Sequence, residues 1–232
     1  MADSSSEIPR HIGFIVDGNR RWARQHGLPA YEGHLAGYNA LQDVLLEVLD
    51  RGVKYASAYI FSTENWKRSQ DEVGRLMGLI VKILTADLHV LQEKNVRLRV
   101  LGTRVDLSDR VIRAIDQAED ATAQNTGGTL ALCLNYGGQV EIADALKAMI
   151  KAGISPDDVS PEVIGQYMYA SDIPPCDLIV RTSGEQRLSN FMLWRSAYSE
   201  LLFLEKNWPE MTKQDVTDIL EEYKHRGRRF GG

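Results

Sequence analysis

Cysteine is scarce in this chain: Cys133 and Cys176 are the only two, and each lies inside or beside an apolar run. They are expected to be reduced packing residues, which fits the cytosol. Long hydrophobic runs are missing too, and nothing approaches the ~18 apolar residues of a membrane span. Basic charge is not in excess: 27 lysines and arginines against 32 acidic residues leave a net charge of −5, which argues against a general nucleic-acid binder. Residues 1–9 are serine-rich and acidic without an apolar core, so they read as a disordered lead-in and not as a signal peptide. No repeat, linker or low-complexity segment divides residues 10–232, which are expected to form one domain. Neither a Walker loop nor a dinucleotide fingerprint occurs.

What is present is an alternation of short apolar runs and longer amphipathic ones. Ile12–Val16, Ala56–Phe61, Val96–Leu101, Thr129–Leu134, Asp177–Val180 and Leu201–Leu204 read as strands, with Val96–Leu101 nearer an edge because Arg97 and Arg99 interrupt it. Helical spacing predicts helices over about Arg20–His26, Glu32–Arg51, Asp71–Glu93, Ser108–Asn125, Val140–Ala152, Val163–Tyr169 and Lys213–Lys224. The pattern predicts an α/β fold, a single domain with a mostly parallel sheet of about six strands between helices. The apolar faces of the two long helices are either plain core or the walls of a hydrophobic tunnel against the sheet; periodicity does not separate the two.

Three strands end in polar clusters: Asp17-Gly18-Asn19-Arg20-Arg21, Ser62-Thr63-Glu64-Asn65-Trp66-Lys67-Arg68, and Arg181-Thr182-Ser183-Gly184-Glu185-Gln186-Arg187-Leu188-Ser189-Asn190. Parallel strands bring such ends together, where open α/β sheets hold ligands. Carboxylates, several arginines and a helix N-terminus in one cavity suit a diphosphate bound with Mg²⁺. Trp22, Trp66 and Trp194 read as core residues or as ligand walls, and His34 as a surface imidazole or a phosphate ligand.

The blocks His11–Ala23, Glu32–Gly37, Phe61–Arg68, Asn135–Gly138 and Asp177–Phe191, with the ending Arg228-Arg229-Phe230-Gly231-Gly232, together resemble the cis-prenyltransferases, the undecaprenyl diphosphate synthase family. The resemblance implies condensation of isopentenyl diphosphate with an allylic diphosphate such as geranyl or farnesyl diphosphate, by a cytoplasmic homodimer that touches the membrane face. It implies Asp17 as principal catalytic residue and Mg²⁺ ligand, with Glu200 a second carboxylate on the metal. Gly18, Asn19, Arg20, Arg21 and His34 would hold the allylic diphosphate. Arg68, Arg181, Arg187 and Ser189 would hold isopentenyl diphosphate, which Arg229 and Gly231 would reach from the partner subunit. Trp22, Ser62, Thr63, Glu64, Trp66 and Leu188 complete the substrate-contacting set. Asn65 is often named the proton acceptor in this family, but an amide is too weak a base, so an orienting or relaying role is expected.

Two positions depart from the family pattern. Ala30 stands where many members have an arginine four residues before the histidine, and Gln186 where some have a further metal-contacting histidine. Bulky Ile60 and Tyr38 lead to the expectation of a short or medium product. The rival expectation is a non-catalytic, prenyl-diphosphate-binding partner subunit, a class that loses the acidic motif retained here.

Overall fold

Alternation along the strands sorts the side chains to the two faces of the sheet. In the computed structural model, which describes residues 8–226, β1 (His11–Ile15) turns Ile12 and Phe14 to one core and Ile15 to another. The same holds for β2 (Tyr55–Ser62), β3 (Val96–Leu101), β4 (Gly128–Tyr136) and β5 (Leu178–Arg181), while β6 (Glu200–Phe203) closes one edge. All pairings are parallel, in the order β3-β4-β2-β1-β5-β6, so β3 is indeed an edge strand. The chain therefore begins mid-sheet: β1 pairs with β2 on one side and with β5 on the other.

The first face packs against α2 (Ala30–Asp50), α3 (Gln70–Thr85), α5 (Asp109–Thr122) and α8 (Lys213–His225). Its core is mainly apolar, with Phe14, Phe61, Leu45, Leu84 and Leu132 at 0–2% exposure; each such side chain contributes roughly 1.5–3 kcal/mol by leaving water. The opposite face is covered by α6 (Gly138–Lys151), α7 (Pro161–Tyr167) and the segment 168–196, and it mixes apolar with polar groups. A short α1 (Asn19–Gln25) lies against the start of α2. Their approach is close: a Cβ on Gly33 would stand 2.0 Å from the Asn19 carbonyl oxygen.

The helix predicted over Asp71–Glu93 is two helices, α3 and α4 (Leu88–Glu93). The break falls at Ala86-Asp87, where Thr85 bonds back to the Val81 carbonyl (2.8 Å) and the Asp87 carboxylate accepts the Tyr38 hydroxyl from α2. An open tunnel between the long helices is not seen. Two small apolar cavities of about 60 and 30 Å³ lie there instead, sharing Tyr38, Leu41 and Ile83 as walls. Among the described residues no helix is long and apolar enough to cross a membrane.

Candidate active site

The ends of β1 and β5 meet at the switch point of the sheet, and Asp17 sits there. Its backbone is held from several sides: Asp17 N–H donates to Thr182 Oγ1 (3.0 Å), while its carbonyl accepts from that same hydroxyl (2.7 Å) and from Trp208 N–H (2.9 Å). Of the carboxylate oxygens, Oδ1 accepts the Gly18 N–H (2.8 Å) and Oδ2 accepts Arg181 Nη2 (2.8 Å). The turn needs glycine at Gly18, where φ is +104° and a Cβ would stand 2.6 Å from Asn207 Oδ1. No side chain caps the start of α1.

Asp17 and Val16 form the wall between two cavities of nearly equal size. The first, about 530 Å³, is lined by Gly18, Asn19, Arg20, Arg21, Arg24, Ala30, His34, Arg68 and Ser183 among others. The second, about 540 Å³, is lined by Tyr59, Ser62, Glu64, Asn65, Arg181, Ser189 and Asn190. One carboxylate thus faces two chambers, the first rich in arginine and the second polar, with Arg181 and Glu64 in its wall.

The arginines are held by carboxylates and by loop oxygens. Arg181 is buried and donates to Ser189 Oγ (2.7 Å) and the Arg187 carbonyl (2.5 Å) as well as to Asp17. Its Nε is buried without a partner among the described residues. Arg21 reaches the Ser183 carbonyl and hydroxyl (both 2.5 Å) and Glu185 (3.0 Å), and Glu185 also takes Arg187 (2.6 Å). Arg187 and Arg21 keep Glu185 below the usual carboxylate range. Burial pushes Glu64 up, but its own N–H, Ser62, Asn190 and Thr63 outweigh it and hold the group low. Burial lowers His34, whose Nε2 lies 3.3 Å from Glu72 Oε1.

Most expected residues converge, with exceptions. Gly18, Asn19, Arg20, Arg21 and His34 line one chamber together, as expected; Arg68 joins them and not Arg181 and Ser189. The Arg187 side chain is largely exposed and lines neither chamber. Trp66 turns away, its indole donating to Asn135 Oδ1 (2.8 Å) and its ring edge-on to Phe61. Trp22 lies tilted against His26 with ring centroids 4.3 Å apart, Leu188 packs against the second core, and Thr63 Oγ1 meets Glu64 (3.3 Å). Asn65 lines the second chamber, but its Oδ1 already accepts the Ser62 N–H (3.0 Å), which leaves its amide NH₂ for a ligand.

Glu200 opens β6 beside Leu178, the first residue of β5, whereas Arg181, the partner of Asp17, is the last. It therefore lies at the other end of the sheet from Asp17 of the same chain, with its carboxylate 3.6 Å from Arg226. No cluster of three or more metal-ligating side chains occurs among the described residues. Asp17 still fits Mg²⁺, an ion that commonly takes one carboxylate and completes its shell with substrate phosphates and water. Arg229 and Gly231 lie outside the described residues.

Arg24, Asn190, Tyr59 and Glu72 were not singled out from sequence. Arg24 was findable: it follows Arg20 by four on α1 and so shares its face, on the chamber that Ala30 also lines. It brings a guanidinium to the chamber whose wall lacks one at Ala30.

Residues 15–231 match the family described as "Putative undecaprenyl diphosphate synthase". The chain is 47% identical over 229 residues to a trans,polycis-polyprenyl diphosphate synthase, (2Z,6E)-farnesyl diphosphate specific, of Thermobifida fusca, covering 97% of this chain and 81% of that protein. It is 44% identical to an isoprenyl transferase of Thermotoga maritima, covering 97% of each. The structure is similar to that of lavandulyl diphosphate synthase from Lavandula x intermedia in complex with dimethylallyl diphosphate, with a TM-score of 0.93, 31% identity, and 98% and 100% of the two chains covered.

Proposed function

Because this chain belongs to the undecaprenyl diphosphate synthase family and is an isoprenyl transferase, we propose that it condenses isopentenyl diphosphate with an allylic diphosphate, geranyl or farnesyl diphosphate, to a Z-polyprenyl diphosphate. The observation that carries this reading is a pair of chambers divided by the Asp17 carboxylate, one rich in arginine and the other polar around Arg181. Two diphosphate-bearing substrates must be held side by side with reacting carbons aligned. The allylic diphosphate takes the chamber of Arg20, Arg21, Arg24, His34 and Arg68. Isopentenyl diphosphate takes that of Arg181, Ser189 and Asn190.

As the allylic C–O bond breaks, the fixed guanidinium groups meet the charge growing on the departing diphosphate without reorganising. Asp17 would hold Mg²⁺ together with substrate phosphate oxygens, and the ion would supply further charge neutralisation there. The new C–C bond leaves a cation on the former isopentenyl unit, which loses a proton to form the cis double bond. With its oxygen accepting the Ser62 N–H, Asn65 presents its amide NH₂ to the ligand; it orients diphosphate, and the proton passes to the departing diphosphate.

The product chain extends into the apolar space between α2, α3 and the sheet. Ile60 and Tyr38 line its upper cavity, and the Tyr38–Asp87 bond crosses its lower end, which supports a short or medium product. The enzyme works as a cytoplasmic homodimer with peripheral membrane contact at product release. Arg226, the last described residue, donates to the Leu201 carbonyl (2.7 Å) at the start of β6, and Arg229 and Gly231 beyond it serve a partner's site in this reading.

The test is turnover of labelled isopentenyl diphosphate with geranyl or farnesyl diphosphate and Mg²⁺, followed by sizing of the dephosphorylated products. The expected result is a short or medium Z-prenyl chain, abolished by EDTA and reduced about 10³-fold by Asp17→Ala with folding unchanged. Undiminished carbon–carbon bond formation by Asp17→Ala overturns the assignment, and a product of undecaprenyl length overturns the prediction of size. Diphosphate binding without turnover favours the non-catalytic partner subunit.

A further inference from the structure

A carboxylate beside a chamber built for polyanions works against ligand affinity, so its presence needs another reason. Glu72 is such a group. It is the third residue of α3, and Ser69 Oγ receives its N–H (3.3 Å). One of its oxygens, Oε1, accepts both Arg68 Nη1 (2.9 Å) and His34 Nε2 (3.3 Å). Three separate segments are thereby tied at one atom: α2 through His34, the loop after β2 through Arg68, and α3 itself. Arg68 and His34 both line the first chamber, whereas Glu72 lines neither. Burial would raise Glu72, but Arg68, Arg20 and His34 outweigh it and hold the group below the ordinary carboxylate range.

The loop so tied serves both chambers. Arg68 faces the first, while Ser62, Glu64 and Asn65, a few residues earlier, face the second. Arg68 itself is in extended backbone, φ −71° and ψ 169°, between the 3₁₀ turn Thr63–Lys67 and α3. Its side chain has no other carboxylate within ion-pair distance among the described residues.

We propose that Glu72 is a positioning residue for the condensation: it anchors the loop after β2 to α2, fixing Arg68 in the first chamber and Asn65 in the second in one mutual register. The inference rests on the reaction proposed above. What matters is the reach of its acceptor oxygen, and the charge at that position opposes substrate binding.

The experiment is steady-state kinetics of Glu72→Gln, Glu72→Asp and Glu72→Ala with both diphosphates, beside the wild type, with thermal unfolding as a check of folding. Glu72→Gln keeps the oxygen and its reach, and is expected to retain kcat within about threefold with an equal or lower KM for the allylic diphosphate. Glu72→Asp keeps the charge and loses the reach, and kcat is expected to fall about 10- to 100-fold, the cost of misplaced reacting groups. Glu72→Ala should match Glu72→Asp in kcat; if it fails to fold, the contrast of Gln with Asp still decides. Wild-type turnover with Asp equal to wild type, with Gln as damaged as Asp, or with KM raised at unchanged kcat, overturns the anchor. No product from the wild type overturns the functional reading, and the anchor falls with it.

Discussion

The two faces of the sheet are built on opposite principles. Against α2, α3 and α5 the side chains are mainly apolar, with Thr122 accepting the Leu98 N–H as an exception, and small cavities remain between them. Against α6 and the segment 168–196 they are cross-linked. Glu141 is fully buried and takes Arg195 Nη1 (2.6 Å), the Tyr136 hydroxyl (2.5 Å) and Tyr169 N–H (3.1 Å). His11 bridges the Pro174 carbonyl (2.8 Å) and Ser57 Oγ (2.7 Å), and Tyr59 stacks on Phe191 at 5.0 Å. The difference follows from what each face supports. The loop after β5 carries Ser183, Ser189, Asn190 and Met192 with positive φ, a conformation costing about 1–2 kcal/mol for each non-glycine residue. A directional network beneath it offsets that strain and keeps Arg181 and Ser189 in place. The apolar face keeps small cavities between its side chains instead.

The contrast can be broken most forcefully at Arg195. Arg195→Met leaves Glu141 charged and unpaired in the interior, which should cost about 3–5 kcal/mol in chemical denaturation and leave product length unchanged. Acid acts on the same face. Burial lowers His11 from 6.5 to about 4. The unfolded chain therefore takes up this proton before the folded one does, and stability drains away as pH falls from 6.5 towards 4, by about 3 kcal/mol in all. Denaturation midpoints against pH should show that slope, flattened in His11→Gln. The smallest effect belongs to the apolar face: Ile60→Ala, at a half-buried position, should cost about 2 kcal/mol while chromatography shows longer products. Equal stability losses on both faces, or unchanged products from Ile60→Ala, would erase the distinction.

The strand-end clusters were legible because the information is local: a short apolar run followed by Asp-Gly-Asn or Arg-Thr-Ser-Gly announces itself within a dozen residues. Asp17 and Arg181 could be brought together on paper because parallel strands put like ends side by side. What escaped was decided at a distance. The helix break at Asp87 depends on Tyr38, 49 residues earlier, and the buried Glu141–Arg195 pair spans 54 residues. Glu200 stands at the beginning of its strand and not at its end, a placement set by the pairing of β6 with β5. Arg68 was legible as part of a strand-end cluster, but the chamber it lines, shared with His34, was not.

The place of β1 in mid-sheet has a consequence for how the protein is made. Asp17 precedes its clamps, Arg181, Thr182 and Trp208, by more than 160 positions. Contacts of such long range form late and slowly. A fragment ending before Leu178 lacks every one of these clamps and should be without catalysis, however well its helices form.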